Sequence, residues 1–215
     1  KVVVGHRFAE PPARPGGRPI KAGDPIVVVA DVLQKDKTTR GYVHPSPAAL
    51  ALNVATRHAI HANKIRAKLH WKKHPGKSMW GTDRYDIGKD DTTILFNYFE
   101  HQMIVAVFSF QAIEAFANEE IDRALDSGTY SLQHKSKVEA VTSAELQRRA
   151  KTEAKIATVL PDLLKIASPK GTKLWQRFHG LKLIRDTTTH IKKQDSYNRG
   201  EPTKPPLFFQ YLLAD

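Results

Sequence analysis

The most extended pattern of apolar positions in this chain predicts one long helix. It begins at Asp91 or Thr92 and runs to about Leu125, and the stop signal Asp126-Ser127-Gly128 follows it. Between positions 104 and 116 the residues are apolar on nearly every side. A surface helix keeps a polar face, so this pattern is typical of a helix in the centre of a bundle or in a dimer interface.

Three further segments have helical periodicity. Ser46 is a suitable N-cap with Pro47 at the first helical position, which predicts a helix to about residue 69. A second helix is expected over 143–167, broken or kinked at Pro161, and a third over 172–193.

The remaining segments lack helical periodicity. Proline and glycine residues over positions 1–25 predict an extended arm, and Ile26–Leu33 is a β-branched run that makes one strand, or pairs with Val2–Val4. Residues 70–91 are interpreted as a loop. The predicted fold class is mainly α: a helical bundle at 91–215, preceded at 1–90 by a basic, irregular region that could be partly β.

The charge of the chain predicts an anionic partner. The formal net charge is +12, and it is segregated: residues 1–85 hold 16 basic and 5 acidic side chains, 86–130 hold 2 and 9, and 131–215 hold 16 and 8. Concentrated basic surface is expected of a protein that binds nucleic acid, although a solubilising surface is the open alternative.

Composition excludes several classes of protein. The chain has no cysteine, which rules out disulfides and cysteine nucleophiles and fits a cytoplasmic location. No apolar run is long enough to span a bilayer, so no membrane partner is expected. Since the chain begins at Lys1 without an initiator Met or a signal-peptide pattern, we interpret it as a fragment or a trimmed chain.

One motif in the last long helical segment carries candidate chemistry. It reads Arg185-Asp186-Thr187-Thr188-Thr189-His190. An R-x4-H pattern with Asp after the Arg, in an all-α region, resembles the HEPN superfamily, whose members are often RNases of toxin–antitoxin and phage-defence systems. The stretch 112–119 (AIEAFANE) looks like the first core helix of such domains. The resemblance covers about residues 92–193.

The resemblance implies an up-and-down helical bundle and a homodimer in which both motifs face one composite cleft. It implies RNA as substrate and allows for an antitoxin protein as a further partner. Some HEPN toxins carry a Tyr two positions after the His, where nucleotides are attached. Lys192 stands there in this chain, which argues against that mode of neutralisation.

Elementary helix geometry constrains how the motif could work. Five residues of α-helix turn through about 500°, which leaves Arg185 and His190 about 140° apart on a straight helix. To act on one phosphate they need a break between them or a second subunit. Because Asp186 or Thr187 can serve as an N-cap, a helix break at the motif is expected.

The residue types suit RNA cleavage by the 2′-OH of the RNA itself, without a metal or another cofactor. Histidine is the usual proton carrier in reactions of this kind, so His190 is the candidate for that role, while Arg185 can bind a phosphate in a fork and stabilise its developing charge. Asp186 could orient either of them. The alternative is that Arg185 pairs with Asp186 or another acid and that His190 is a polar interface residue.

Glu114 and Asn118 are expected to position Arg185. They are four residues apart and project from one side of the long helix, where an ionised Glu114 needs a partner. Arg185 is the natural candidate. The alternative places both residues on a solvated stripe with Glu119 and Asp122.

Two other groups of residues have compositions or spacings typical of binding sites. Trp71, Lys72 and Lys73 combine a ring with positive charge, as RNA-binding surfaces do, and Lys192 and Lys193 extend the basic surface beside the motif. The alternative for the first group is a frayed helix end with Trp71 and Trp80 packed inward. His58 and His61 have the spacing of metal ligands, but no adjacent carboxylate supports them, so no metal site is predicted.

Overall fold

The computed structural model describes residues 29–33, 39–43, 46–77, 81–134 and 137–190. In these residues the chain is mainly α, as predicted, and carries three two-stranded antiparallel sheets. None of the helices found in these ranges has the length and apolar character needed to cross a membrane.

Two long helices form the centre of the molecule and match the sequence prediction. Helix α1 spans Pro47–Arg66 and helix α2 spans Thr92–Leu125. The hydroxyl of Ser46 accepts from the Ala49 N–H at 3.2 Å, so Ser46 is the N-cap that the sequence indicates. Helix α2 ends where Asp126 adopts a φ of 49°.

The contact between α1 and α2 uses small residues and one carboxylate. Ala51, Ala55 and Ala62 are the buried residues of α1, and their size lets the two helices approach closely. At the N-terminus of α1, Glu119 of α2 accepts hydrogen bonds from the Ser46 hydroxyl (2.9 Å) and the Ala48 N–H (3.2 Å). An anionic side chain at a helix N-terminus is favourable because of the helix dipole.

The two regions predicted on either side of residue 90 are in contact through α1 and α2. Helix α1 lies along α2, and the two share an apolar cluster. A short 3₁₀ turn at Lys89–Asp91 leads directly into α2. The cluster contains Ala62, Ile65, Leu69, Leu95, Tyr98 and Phe99.

The described residues include three hairpins, of which the sequence interpretation missed the two that lie between helices. The first sheet pairs β1 (Val29–Leu33), which lies within the strand predicted at Ile26–Leu33, with β2 (Thr39–Val43). The other predicted partner, Val2–Val4, lies outside the described residues. Residues expected to be a loop form β3 (Trp71–Lys77) and β4 (Asp83–Ile87), and β5 (Thr129–His134) pairs with β6 (Lys137–Thr142). Strands β3 to β6 are short and largely exposed, so they lack the apolar alternation that identifies a half-buried strand.

The second predicted helix is divided into several pieces. Helix α3 (Ser143–Arg149) begins with a capping box between Thr142 and Glu145. After a break follow α4 (Thr152–Ala154), one π-helical turn (Lys155–Val159) and α5 (Leu160–Leu164). Pro161 lies in the first turn of α5, where its missing N–H is tolerated.

The last described helix, α6, spans Lys173–Thr189 with Thr172 as its N-cap. It packs against α2. The C-terminal half of α2, the β5–β6 hairpin, α3 and α5 enclose a second apolar cluster, whose buried members are Ala117, Ile121, Val141, Leu146, Val159 and Leu160.

Candidate functional site

Helix α6 places Arg185 against the middle of α2. The guanidinium carbon of Arg185 lies 3.9 Å from the centroid of the Phe110 ring, a cation–π contact. Its Nη1 lies 3.0 Å from Oδ1 of Asp186. The Nε of Arg185 is buried and has no hydrogen-bond partner among the described residues. The guanidinium is therefore held by two contacts, one with an aromatic ring and one with a carboxylate.

Aromatic side chains support this position of Arg185. The Phe110 ring stacks on Phe178 of α6, with centroids 5.9 Å apart, and Phe178 stacks on Trp175 at 5.2 Å. Phe178 and Arg185 are seven residues apart and share one face of α6. The same face that packs on α2 therefore carries the candidate catalytic arginine.

The expected break at the motif is absent. Helix α6 continues through Arg185 to Thr189, so neither Asp186 nor Thr187 is an N-cap. The threonine hydroxyls instead bond to carbonyls within the helix: Thr187 to Leu183 and Ile184, Thr188 to Ile184, and Thr189 to Arg185. These bonds satisfy the hydroxyls without a break in the helix.

His190 lies at the C-terminal end of α6. Its N–H donates to the carbonyl of Asp186 at 3.0 Å, and its backbone leaves the helix with φ −128° and ψ 64°. The residue is exposed, and the imidazole has no hydrogen-bond, ion-pair or ring partner in the described part of the chain. It is available to an external group but does not share the face of Arg185.

The expected pairing of Glu114 with Arg185 is not present among the described residues. Glu114 Oε1 instead accepts from the Thr152 hydroxyl at 3.1 Å. Phe110 lies one turn before Glu114 on the same face of α2 and takes the contact with Arg185. On α2, the ring of Phe110 therefore contacts the guanidinium of Arg185 in place of the expected carboxylate of Glu114.

Asn118 lies one turn further along α2 and also contacts the segment after β6. Its backbone carbonyl accepts from Gln147 at 3.3 Å, while its side-chain oxygen is buried and has no hydrogen-bond partner in the part of the chain that the structure describes. Asp122, another turn along, accepts from the Ser143 hydroxyl at 2.8 Å. This stripe of α2 therefore faces α3 and α4, with Glu114 and Asn118 partly buried and Asp122 exposed.

A buried lysine accompanies Glu114. Lys155 is only 1% exposed and begins the π-helical turn. Burial lowers its pKa, and the charge of Glu114 acts in the opposite direction. A π-turn is an uncommon feature that often occurs at functional sites.

Glu153 connects the same segment to α6. Its carboxylate lies 3.1 Å from Nζ of Lys182 and 3.7 Å from Nδ1 of His179. Its neighbour Thr152 binds Glu114 of α2. We call Thr152, Glu153 and Lys155 the α2–α6 clasp, because they connect the helix that carries Phe110 to the helix that carries Arg185.

Sequence reasoning did not single out Phe110 or the clasp. Phe110 could have been found, because it precedes Glu114 by four residues and must share its helix face. The clasp follows no motif spacing. Its residues acquire partners only when 152–155 packs between α2 and α6.

The predicted RNA-binding residues of the first region lie on strand β3. Trp71, Lys72 and Lys73 are exposed, so Trp71 is not packed inward at a helix end. Lys73 forms an ion pair with Asp83 at 2.7 Å. Lys192 and Lys193 lie outside the described residues.

The histidines of α1 contact a histidine of α2. Nδ1 of His58 lies 2.7 Å from Nδ1 of His101, and the His61 ring stacks on His101 with centroids 5.6 Å apart. In the part of the chain that is described, no group of three or more His, Cys, Asp or Glu side chains is arranged to hold a metal ion.

Comparison with known proteins identifies no protein similar to this chain. The chain matches no protein-family model, no curated protein and no solved structure.

Proposed function

We propose that this chain is a cytoplasmic, metal-independent endoribonuclease of the toxin or phage-defence type, with Arg185 and His190 as its catalytic residues. The observation that supports this proposal best is the position of Arg185, whose guanidinium is stacked on Phe110 and paired with Asp186. A preorganised cation of this kind can bind a phosphate without first being immobilised. The proposed fold family is that of HEPN-like bundles, with α2 and α6 as its core helices.

The proposed reaction needs a proton carrier and a cation. His190 takes the proton of the ribose 2′-OH as the 2′-oxygen forms a bond to phosphorus. The bond from phosphorus to the 5′-oxygen breaks, and a protonated imidazole gives the leaving oxygen its proton. Arg185 stabilises the charge on the phosphate oxygens in the transition state. The products are a 2′,3′-cyclic phosphate and a 5′-hydroxyl.

The proposal includes a homodimer. Arg185 lies within a continuous helix and His190 lies at its end, about 140° away around the axis. A second copy related by two-fold symmetry can bring its own His190 toward the Arg185 of the first. An antitoxin that covers the cleft would inhibit such an enzyme.

The first test is cleavage of mixed single-stranded RNA in the presence of EDTA. We expect the wild type to leave cyclic phosphate ends and His190→Ala to leave the RNA intact. His70→Ala is the matched control, because His70 is an exposed histidine outside the motif. Equal cleavage by the wild type and His190→Ala would refute the assignment, provided circular dichroism shows that both are folded.

A non-catalytic role is the second candidate, and a specific observation favours it. The contacts of Arg185 with Asp186 and Phe110 are also those of a structural arginine. In that case the chain binds nucleic acid or a nucleotidyltransferase-type protein through this surface. It would then bind RNA without forming a product, and Arg185→Ala would weaken partner binding.

A further inference from the structure

We propose that the β3–β4 hairpin is a docking surface for single-stranded RNA, separate from the Arg185 site. Two aromatic side chains on it are exposed to solvent: Trp71 is 47% exposed and Tyr85 is 52% exposed. Exposure alone does not mark a binding site, because single apolar side chains are common on protein surfaces. The arrangement of these two rings relative to each other and to basic side chains is the informative feature.

The register of the hairpin places both rings on one face. Trp71 pairs with Ile87, and Lys73 pairs with Tyr85. Cross-strand partners share a face and residues two apart along a strand share a face, so Trp71, Lys73 and Tyr85 lie on the same side. The two rings are diagonal neighbours, within about 8 Å of each other. Two bases of an extended strand could each stack on one of them.

Positive charge surrounds these rings. The face carries Lys73, and Lys77 pairs with Asp83 on the opposite strand. Lys72 is exposed on the other face and has no ion-pair partner among the residues that are described. Rings that stack on bases combined with lysines that contact phosphates are the usual composition of surfaces for single-stranded nucleic acid.

A carboxylate limits this positive charge. Asp83 binds both Lys73 (2.7 Å) and Lys77 (2.5 Å). The hydrogen bond from Lys73 and then that from Lys77 lower the pKa of Asp83, so it stays ionised at neutral pH. The two lysines are therefore held beside the rings, and part of their charge is compensated.

The occupant we infer is a single strand and not a duplex or a protein. Base faces are accessible for stacking only where they are unpaired. The basic side chains argue for a phosphate backbone, in line with the net charge of +12. The choice of RNA over DNA rests on the proposed function, whereas the docking itself does not.

The test is fluorescence polarisation with a short labelled single-stranded RNA, in the His190→Ala background so that the RNA stays intact. We expect Trp71→Ala and Tyr85→Ala each to weaken binding by at least about 5-fold. Phe116→Ala is the matched control, because Phe116 on α2 is also 52% exposed. Unchanged affinity in both hairpin variants, or an equal loss in Phe116→Ala, would overturn the proposal.

A gain-of-binding variant guards against simple misfolding. Asp83→Asn removes the compensating charge, so this variant should bind the RNA more tightly. The slope of log K against log salt concentration should steepen by up to about 0.7 for each lysine that becomes free to contact a phosphate. Weaker or unchanged binding by Asp83→Asn would overturn the role of Lys73 and Lys77.

Competition with unlabelled strands identifies the ligand. Duplex RNA should compete poorly, and single-stranded DNA should compete no better than RNA. Equal competition by duplex would overturn stacking, and stronger competition by DNA would overturn RNA as the occupant. Because these measurements record binding, they remain informative if no RNA is cleaved.

Discussion

At the scale of single residues, the hydrogen-bonding capacity of Arg185 is central. A guanidinium has five N–H donors, and within the described ranges Arg185 forms one ion pair, through Nη1 to Asp186. The Phe110 ring stabilises the charge without using any donor, and such contacts contribute about 0.5–2 kcal/mol. Nε is buried, so a phosphate can be bound only through the Nη groups of a side chain that is 26% exposed. The same contacts are compatible with catalysis as well as with structure.

A second residue-scale feature, the contact between His58 and His101, predicts a pH dependence of stability. Burial lowers the pKa of His58, and the charges of His101, His61 and Arg57 lower it further. The unfolded chain therefore binds more protons in acid than the folded one. The contribution of His58 to the free energy of unfolding should be fully present above about pH 6.5 and should be lost as the pH falls below this value.

Thermal unfolding across this pH range tests the contribution of His58. His58→Asn keeps a polar group near the position of Nδ1 but does not titrate, so its melting temperature should fall less steeply below about pH 6.5. His70→Asn is the control, because His70 is highly exposed. Parallel pH profiles for the wild type and His58→Asn would show that this histidine pair does not couple folding to pH.

At the scale of elements, the α2–α6 clasp explains how Arg185 is aligned with Phe110. We predict that Glu153→Gln weakens the connection to Lys182 and His179 and lets α6 shift on α2. If Arg185 acts mainly on the transition state, kcat should fall more than KM changes. The reactivity of Arg185 with phenylglyoxal, followed by mass spectrometry, should rise because its Nε is no longer buried.

Two companion variants separate this effect from a general loss of stability. Glu139→Gln removes a comparable ion pair, with Arg149, that does not connect α2 to α6. It should leave kcat and the reactivity of Arg185 unchanged. The exchange of Glu153→Lys with Lys182→Glu restores opposite charges and should recover part of the activity. An unchanged reactivity of Arg185 in Glu153→Gln would argue against the clasp.

Element by element, the sequence predicts the helices better than the strands. Helices α1 and α2 are found within a few residues of their predicted bounds, because their caps and periodicity are local signals. The β3–β4 and β5–β6 hairpins were missed because strand pairing joins positions that have no local apolar pattern.

The same distinction holds for the candidate site. The motif residues were found from their spacing, and the shared face of Glu114 and Asn118 follows from helix geometry. Their partners could not be predicted, since Thr152 reaches Glu114 across 38 positions of the chain. The π-turn at Lys155 likewise depends on packing that no short pattern encodes.

At the scale of the whole molecule, α2 connects two separate apolar clusters. One lies between α1 and the start of α2, and the other lies between the end of α2 and the segment 130–163. Helix α6 meets α2 between them, at Phe110. The candidate catalytic surface is therefore carried by the middle of the longest helix, where cores on both sides hold the helix in place.

The proposed dimer leads to a prediction about mixtures of inactive variants. If Arg185 of one protomer acts with His190 of the other, Arg185→Ala and His190→Ala are each inactive alone. A mixed dimer of the two variants contains one intact pair, formed by the Arg185 of one chain and the His190 of its partner. Random mixing makes half of the dimers mixed. Each mixed dimer has one intact Arg185–His190 pair where a wild-type dimer has two, so about a quarter of the wild-type activity should return.

Cleavage of RNA by the refolded or co-expressed mixture measures this complementation. The double variant carrying both substitutions on one chain, mixed with wild type, is the informative control, because its mixed dimer contains no intact pair across the two chains. We expect activity to return when the two single variants are mixed. The mixture of double variant and wild type should show only the activity of its wild-type dimers. This result would place the two residues in opposite protomers. If neither variant regains activity on mixing, Arg185 and His190 must act within one chain, and α6 would then have to unwind at the threonines to bring them together.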